Sequence, residues 1–492
     1  MKKIIIIGGG IAGLSAGCYA KMNGYDTEIF EMHSLPGGLC TAWERKGYTF
    51  DFCIQWLFGT SPDSPFHKIW RELGAIQNKE VYYNRMPWKI HLKDHVINFY
   101  NDSDRLAKYL KEISPEDSSM IDELIDCINK FSVINKIPLQ KPKELFNIID
   151  IVKMIIYMLP IMKLVKKYGK TTINEFASMF KSPVLRQAIQ YTEVSFGSDD
   201  YFAIPFVLAN RHSGFPKGGS LSFARSIEQR YKDLGGRIQY NSKIKKILIE
   251  NSKAVGIVLE DGREAKADIV ISAADGYSTI LKMLESKFIN KKIRHLYEHE
   301  AVTPSLVQVS LGVDMKLSGE QALTEYLYEL KEPITIAGKE NKCILVRYYA
   351  FDPTFAPLGK STLTVALPSE STYWEEIYSD KEKYKQEKKR IEEAVVSSLE
   401  TIVPGIEEKI EVVNVATPMT IIRYTNNWKG SIMAFAKGPF LNIPRRLPKL
   451  LNFFMVGQWV GDSGVSGAAK SGRDILEYIC KKDKKRFITT EP

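Results

Sequence analysis

The pattern of apolar and polar residues predicts a β-α-β unit at the start of the chain. Residues 4–7 are four consecutive isoleucines, and such a β-branched run is typical of a parallel strand buried on both faces. Leu14, Cys18 and Met22 then recur at helical spacing. Residues 27–30 predict a second strand. Together these segments predict two neighbouring strands of a parallel sheet and the helix that connects them.

Similar patterns along the rest of the chain predict further helices and strands. Helical periodicity appears at 104–113, 118–131, 221–234 and 468–479, and in the charged segment 380–400. Strands are predicted at 237–240, 244–249, 254–259, 268–272, 305–312, 362–367 and 453–456, and the alternating segment 89–100 predicts a hairpin. Ser220 is predicted to cap the helix that follows it. The apolar strand at 268–272 is expected to rejoin the sheet that begins at residue 4.

Three glycines separate the first strand from the first helix, in the order Gly8-x-Gly10-x-x-Gly13. Gly8 permits a tight turn, Gly10 lets a pyrophosphate approach the backbone, and Gly13 lets the helix pack closely on the sheet. The helix N-terminus offers unpaired N–H groups to the phosphates. Glu31 ends the second strand, where a carboxylate accepts ribose hydroxyls and repels a 2′-phosphate. This spacing predicts a dinucleotide other than NADP, and by itself it does not distinguish NAD from FAD.

Three more glycine-rich segments resemble the amine oxidase and phytoene desaturase superfamily. They are Gly37–Gly38, Gly218–Gly219 in GFPKGGSLSF, and residues 452–479, which read NFFMVGQWVGDSGVSGAAKSGRDILEYI. The segment TPMTIIRYTNNWKGSIMAF at 417–435 is similar to the branch that contains carotenoid isomerases and retinol saturases. Members of this superfamily bind FAD, so the resemblance implies FAD as the cofactor.

The resemblance also implies the fold class and the cofactor-binding positions. The fold is expected to be α/β, with a two-nucleotide-binding (Rossmann-like) FAD domain and an inserted α+β substrate domain. The FAD domain would comprise 1–60, 216–285 and 441–480, and the substrate domain 61–215 and 286–440. The cofactor-binding positions fall on Gly8, Gly10, Ala12, Gly13, Glu31, Gly37, Gly38, Leu39, Ile244, Gly461, Asp462 and Val465. Among them, Ile244 lies on the adenine side, and Asp462 would hydrogen-bond the ribityl chain.

The activity implied by the resemblance is hydride transfer between flavin and a carbon atom of an apolar polyene or isoprenoid. Desaturation, saturation and isomerisation all stay open. Residues 51–59 lie close to the flavin ring in the family, but Cys53 and Gln55 stand where the family usually has glycine and often histidine. No side chain is assigned as acid or base. Candidate lining residues are Gln55, Trp56, Arg423 and Tyr424.

Three other functions are compatible with the sequence. A flavin amine oxidase would need an aromatic cage beside the flavin, and Trp459 could belong to one. A non-redox hydratase or mutase could use FAD for electrostatics alone. An electron-transfer or structural flavoprotein would have no small substrate.

The net charge of +10 admits nucleic acid, an anionic membrane surface or a solvated lysine-rich surface. No zinc-finger or RNA-binding motif is present, so we expect no nucleic-acid partner. Residues 145–167 have an apolar centre at 154–162 that contains Pro160, with lysines on both sides. This segment predicts either a buried helix of the substrate domain or a helix lying in a membrane surface. No apolar run is long enough to predict a membrane-spanning helix.

Six cysteines and seven histidines show no metal-binding spacing, so no metal site is predicted. Scattered cysteines suggest a reducing compartment. The apolar run at 4–7 breaks at three glycines, which predicts no secretory signal. We therefore expect a cytoplasmic protein, with a location at the inner face of the membrane left open. The sequence does not predict an oligomeric state.

Overall fold

The structure is a computed structural model, and it describes residues 1–133, 137–138, 141–196, 199–210, 212–317, 324–435, 443–461 and 464–492. The strands are β1 Lys3–Ile7, β2 Asp26–Phe30, β3 Ala42–Arg45, β4 Tyr48–Asp51, β5 Val81–Tyr83, β6 Trp88–His91, β7 Val96–Phe99, β8 Gly214–Pro216, β9 Arg237–Gln239, β10 Ile244–Glu250, β11 Lys253–Leu259, β12 Glu264–Lys266, β13 Ile269–Ser272, β14 Ser305–Val313, β15 Glu325–Ile336, β16 Lys339–Tyr348, β17 Ser361–Ser369, β18 Ile410–Ala416 and β19 Phe453–Met455.

The α-helices are α1 Ile11–Met22, α2 His67–Glu72, α3 Ser103–Ile113, α4 Ser118–Ser132, α5 Ile148–Tyr168, α6 Ile173–Ser178, α7 Pro183–Tyr191, α8 Glu193–Phe196, α9 Ala203–Ala209, α10 Gly219–Asp233, α11 Lys291–His299, α12 Ser371–Tyr378, α13 Lys381–Ile402, α14 Pro418–Thr425 and α15 Gly464–Lys482. A π-helical segment spans Ser278–Met283. Short 3₁₀ segments lie at Pro115–Asp117, Lys143–Leu145, Glu407–Lys409, Trp428–Gly430 and Gln458–Val460.

A parallel sheet in the order β19-β13-β1-β2-β9 forms the centre of the α/β part. Its strand β1 is buried on both faces, as the isoleucine run predicts. Ile4 and Ile6 pack in the core that contains α1, α10 and α15. Ile5 and Ile7 pack on the other side, with the small antiparallel sheet β10-β11-β12 and the π-helical segment. The strand at 269–272 does rejoin this sheet, beside β1.

The second large sheet is mixed and has the order β18-β14-β17-β16-β15-β6-β7. One face packs on α12 and α13, where Val309, Val346 and Val365 meet Trp374 and Val395. Apolar residues of the opposite face pack on the helices between α3 and α9. The predicted hairpin at 89–100 is present as β6 and β7. The α/β fold class is therefore confirmed.

Two predicted helix starts are wrong. α10 begins at Gly219, so Ser220 lies inside the helix instead of capping it, and its side chain bonds elsewhere. The C-terminal helix begins at Gly464, four residues before the predicted start. Both helices follow glycine-rich turns with positive φ, at Gly218 and Gly461. The first turn of each helix contains glycine and serine, which periodicity of apolar side chains does not detect.

Helix α5 corresponds to the apolar segment predicted at 145–167. Asn147 caps it, and Asp150 completes a capping box. Only Ile161, Leu164 and Tyr168 are buried, while a row of large apolar side chains on the other face is exposed. In the part of the chain that is described, no helix is long and apolar enough to cross a membrane.

Candidate flavin and substrate site

The turn from β1 into α1 depends on glycine at two positions. Gly8 has φ +99°, and its N–H donates to the Phe30 carbonyl at 2.8 Å. A Cβ on Gly13 would lie 2.0 Å from the Gly8 carbonyl oxygen. Because these atoms belong to the backbone, no side chain could be accommodated there without moving α1 away from the sheet.

The N-terminus of α1 faces the second glycine pair. Gly10 precedes the helix and provides no side-chain cap, so the first N–H groups of α1 have no intrahelical acceptor. The Gly37 N–H donates to Gly9, which holds residues 37–38 beside Gly10. A Cβ on Gly10 would lie 3.8 Å from Gly37 O and 3.9 Å from Gly38 Cα. The bare backbone leaves a space here that larger side chains would fill.

Glu31 lies at the end of β2 and is 6% exposed. Its carboxylate accepts the N–H of Gly9 at 2.6 Å and the N–H of His33 at 2.8 Å. Burial raises its pKa, and these backbone hydrogen bonds oppose the shift. The Glu31 carbonyl accepts the N–H of Ser242, which brings the start of β10, and so Ile244, close to this acid.

The loop after β19 and helix α15 also contact the N-terminal part of α1. Gly457 has φ +98°, and a Cβ on it would lie 3.5 Å from Ala12 Cβ. The Gly457 N–H donates to Ser471 Oγ at 2.9 Å, which fixes the loop on α15. Helix α15 packs directly on α1, and Ser15 Oγ donates to the Ala469 carbonyl at 2.6 Å.

Gly461 and Val465 belong to this same loop and helix start, and Leu39 follows Gly38. Asp462 lies outside the described residues. Glu31, Gly37, Gly38 and Gly457 come from distant parts of the chain, and all of them lie close to the segment 9–12 at the N-terminus of α1.

This arrangement fits FAD. The N-terminus of α1 and the bare backbone of Gly10 and Gly37 suit a diphosphate. A buried carboxylate at Glu31 suits a ribose, and the close Ala12–Gly457 contact joins the two nucleotide-binding segments. When bound, FAD would supply the two-electron chemistry that no side chain here can perform.

Strands β3 and β4 form a hairpin, which we call the FAD-side hairpin. A polar network that sequence reasoning missed joins this hairpin to α10. Asp51, which ends β4, is 2% exposed and accepts Ser220 N and Ser220 Oγ, each at 2.6 Å. The Cys53 N–H also donates to it, at 3.1 Å. Burial raises the pKa of Asp51 to about 6 despite these hydrogen bonds. No local pattern pairs residues 51 and 220, because their contact depends on the tertiary fold.

The same hairpin contacts one face of the seven-stranded sheet. Gln308 Nε2 donates to the Asp51 carbonyl at 2.9 Å and to Ser310 Oγ at 3.1 Å. Trp43 Nε1 donates to Asn414 Oδ1 at 3.1 Å. These bonds identify the sheet face that lies against the hairpin.

A row of directly paired residues crosses this face from strand to strand. We call it the polar row; it consists of Asn414, Ser310, Thr364, Arg347, Glu325 and Trp88. Arg347 donates through Nε and Nη2 to Glu325 Oε1, at 2.9 and 2.7 Å, and Trp88 Nε1 donates to Glu325 Oε2 at 3.1 Å. Gln55 also contacts this ion pair. In the amide orientation that satisfies both partners, its nitrogen donates to Glu325 Oε1 at 3.0 Å and its oxygen accepts from Arg347 Nη2. Gln55 therefore belongs to a buried ion-pair network.

The other candidate lining residues lie in different surroundings. Trp56 is half-buried and contacts Phe206, with ring centroids 5.9 Å apart. Arg423 and Tyr424 are exposed, and the Tyr424 ring packs edge-on against His33, two residues beyond Glu31.

Trp459 is 3% exposed and packs in a core cluster with other aromatic rings. These rings are Tyr297, Trp428 and Phe435. Its ring is therefore part of a packed core beside the sheet, which is not the arrangement that an open aromatic cage requires.

Metal-binding geometry is not found within the described ranges, where no three His, Cys, Asp or Glu side chains form a suitable group. The cysteines at 18, 40, 53, 127, 343 and 480 are free thiols.

Comparisons with known proteins agree with this site. The sequence matches the family described as "Flavin containing amine oxidoreductase" over residues 11–475. The chain is 26% identical over 474 residues to "Prolycopene isomerase, chloroplastic" of Arabidopsis thaliana, covering 90% of this chain and 75% of that protein. It is 23% identical over 525 residues to "Phytoene desaturase (lycopene-forming)" of Paracoccus sp., covering 96% and 97%.

Solved structures show the same fold at low identity. An oxidoreductase from Methanosarcina mazei superposes with a TM-score of 0.63 at 17% identity, covering 96% of this chain and 100% of that one. Cyclohexylamine oxidase from Brevibacterium oxydans gives 0.61 at 13% identity, covering 98% and 100%. The family match spans nearly the whole chain, from the first residue of α1 into α15. The chain therefore belongs to the flavin containing amine oxidoreductase family and is an FAD-dependent oxidoreductase.

Proposed function

We propose that this protein transfers hydride to or from a carbon–carbon bond of an apolar polyene or isoprenoid. The observation that carries the proposal is the set of relatives that align along most of the chain, which are named as carotenoid isomerases and desaturases. The product of the reaction can be a desaturated, saturated or isomerised chain. The half-buried Trp56 and Phe206 beside Gln55 supply apolar surface for such a substrate.

The proposed FAD contacts are the residues expected from the sequence. The N-terminus of α1 binds the diphosphate, Glu31 accepts from the adenosine ribose, and Ile244 borders the adenine. Gly461 and Val465 would border the flavin; Asp462, which the sequence also assigns to this side, lies outside the described residues. With FAD bound, the N-terminal dipole of α15 would favour negative charge on the flavin.

The proposed domain division follows the sheets. Strands of the parallel sheet come from 1–60, 216–285 and 441–480, which we assign to the FAD domain. Strands of the seven-stranded sheet come from 61–215 and 286–440, which we assign to the substrate domain. We place the substrate on this sheet face, next to the segment 51–59 that follows strand β4 and contacts the face through Gln55.

Anaerobic spectroscopy tests the reaction. We expect the flavin of the purified holoenzyme to change redox state with polyenes, or the reduced holoenzyme to transform them, while primary amines leave the oxidised flavin unchanged. Rapid bleaching by amines with no response to polyenes would replace the proposal with amine oxidation. A flavin that responds to neither would point to an electron carrier.

We further propose that α5 docks on an anionic lipid surface and takes the substrate from it. Its exposed apolar side chains recur every three or four residues along one face: Ile148, Ile151, Val152, Ile155, Leu159 and Met162, each at least 50% exposed. A continuous apolar face of this kind is costly in water. Lys153, Lys163 and Lys166 are exposed on the same helix, and each cation near an anionic surface contributes about 1 kcal/mol.

Vesicle co-sedimentation tests the docking surface. We expect binding to phosphatidylglycerol vesicles that weakens as salt concentration rises, because salt screens the attraction between the lysines and the lipid phosphates. The double variant Ile155→Asp/Leu159→Asp should remain in the supernatant. Leu358→Asp changes a fully exposed leucine outside α5 and should bind like the wild type. Equal recovery of the wild type in the supernatant with neutral and anionic vesicles at low salt would contradict the proposal.

A further inference from the structure

The guanidinium of Arg347 has hydrogen-bonding capacity that the protein does not use. Its Nε and Nη2 are engaged by Glu325 and Gln55, but Nη1 makes no hydrogen bond to any residue that the structure describes. The Arg347 side chain is 14% exposed, and Nη1 is not among the fully enclosed polar atoms. Nη1 therefore keeps access to solvent at the surface of the polar row.

The position of Arg347 places this free donor where substrate is expected. Arg347 pairs with Thr364, and the same row reaches Ser310, whose hydroxyl accepts from the Gln308 amide that also binds the Asp51 carbonyl. Gln55 links Arg347 to the segment 51–59. The donor thus lies on the sheet face that meets the FAD-side hairpin.

The electrostatic balance restricts what the donor can bind. Glu325 already neutralises Arg347 through two hydrogen bonds to one oxygen, and Asp51 adds a further acidic group nearby. A second carboxylate would bring an uncompensated negative charge into a largely buried site, which costs more than it gains. A neutral oxygen can accept from Nη1 without that cost.

We propose that Arg347 is a specificity-determining residue, which donates a hydrogen bond from Nη1 to a hydroxyl or aldehyde oxygen at one end of the apolar substrate. This inference rests on the proposed function and adds a substrate class to it: isoprenoid alcohols or aldehydes. Gln55 and Glu325 act as positioning residues, because together they fix the plane of the guanidinium. The remaining length of the substrate needs only apolar contacts.

Three ligands with one hydrocarbon chain test the proposal: geranylgeraniol, geranylgeranoic acid and the matching hydrocarbon that ends in a methyl group. Binding to the holoenzyme is followed by perturbation of the visible flavin band. We expect the alcohol to bind tighter than the hydrocarbon by on the order of tenfold to a hundredfold, the range for a hydrogen bond to a charged donor. The acid should bind more weakly than the alcohol at neutral pH.

The variants separate recognition from folding. Arg347→Gln alone would leave Glu325 buried without its cation, so the main variant is Arg347→Gln/Glu325→Gln, which stays neutral and keeps hydrogen-bonding groups. It should bind alcohol and hydrocarbon equally, with unchanged flavin content. Arg294→Gln removes an exposed arginine from a surface pair and should keep the wild-type preference.

Each outcome decides between the inference and the proposed function. A wild type that binds the hydrocarbon as well as the alcohol, or a double variant that keeps the preference, overturns the role of Arg347 and leaves the proposed function standing. Tightest binding of the acid would also overturn it. Failure of all three ligands to perturb the flavin would overturn the role of Arg347, whereas the proposed function is decided by the anaerobic reaction with polyenes.

Discussion

Gly10 leaves bare backbone at the point where α1 begins, opposite Gly37 and Gly38. A Cβ there would make ordinary contacts at 3.8 and 3.9 Å, so alanine can be accommodated. A branched side chain would extend into the space that we assign to the diphosphate. The effect of a Gly10 substitution on FAD affinity should therefore depend on whether the new side chain is branched more than on the loss of glycine itself.

We expect Gly10→Val to lose FAD affinity by about a hundredfold, the equivalent of ~3 kcal/mol of overpacking. Gly10→Ala is the matched control and should keep most of its flavin. Affinity is measured by titrating apoprotein with FAD, and circular dichroism checks that both variants fold. A Gly10→Val protein that purifies with a full complement of flavin would contradict the assignment.

Asp51 makes stability depend on pH. Burial raises its pKa to about 6, whereas an unfolded chain releases the proton near pH ~3.9. Between these values the folded state holds a proton that the unfolded state has lost, so the free energy of unfolding falls as pH rises. The loss is complete above about pH 6 and amounts to roughly 3 kcal/mol.

The expected result is that the stability of wild type relative to Asp51→Asn declines between about pH 4 and about pH 7. Urea unfolding at each pH measures the difference. Asp233→Asn, at an exposed position of α10, is the control for the loss of a surface carboxylate. A pH-independent difference for Asp51→Asn would show that its carboxyl titrates normally in the folded protein.

Among whole elements, the packing of α15 on α1 holds together the first and last parts of the nucleotide site. Gly472 lies in this interface, and a Cβ on it would lie 2.5 Å from Ala12 O and 2.6 Å from Ala16 N. These are backbone atoms of α1, so the two helices would have to separate. The contact also positions Ala12 against Gly457.

Gly472→Ala should destabilise the protein by about 1–3 kcal/mol and reduce flavin content, because the helices move apart at the nucleotide site. Chemical denaturation and the flavin-to-protein ratio measure the two effects. Lys481→Ala, at an exposed position of the same helix, should stay within about 0.5 kcal/mol of wild type. An unchanged denaturation midpoint for Gly472→Ala would mean that α15 can shift freely on α1.

For the molecule as a whole, the cofactor site is a junction between distant segments. The segment 8–13 meets Glu31, Gly37 and Gly457 there, so bound FAD would link the beginning of the chain to the segment before its last helix. A ligand that binds only the folded state stabilises it by about 4 kcal/mol at a thousand times its Kd.

Removing FAD should therefore lower the melting temperature by several degrees, and adding FAD back should restore it. Calorimetry of holoprotein, apoprotein and reconstituted protein measures the change. NAD is the control ligand and should not restore stability. Equal melting temperatures with and without FAD would contradict the position assigned to the cofactor.

Local patterns in the sequence were sufficient to predict the β-α-β unit to which we assign the nucleotide. Gly8 and Gly13 are required by close backbone contacts within one β-α turn, and Glu31 follows one strand later, so spacing alone identifies them. The strands β1, β2, β13 and β14 were predicted for a similar reason, since apolar runs report burial directly.

Only the tertiary structure determined which side chains form the polar row on the sheet face that contacts the FAD-side hairpin. The polar row consists of residues from separate strands, and the register between those strands places Arg347 beside Glu325 and Thr364. No spacing along the chain encodes that register. The contacts of Asp51 with Ser220 arise in the same way.

Helix α5 shows that hydrophobic periodicity does not predict which of two apolar helix faces is buried. Its sequence is apolar on two faces, and a hydrophobic pattern records only that a side chain is apolar, not which surface covers it. Packing of Ile161, Leu164 and Tyr168 against neighbouring helices determined the buried face. The row from Ile148 to Met162 was left exposed because the chain provides no further element to cover it among the described residues.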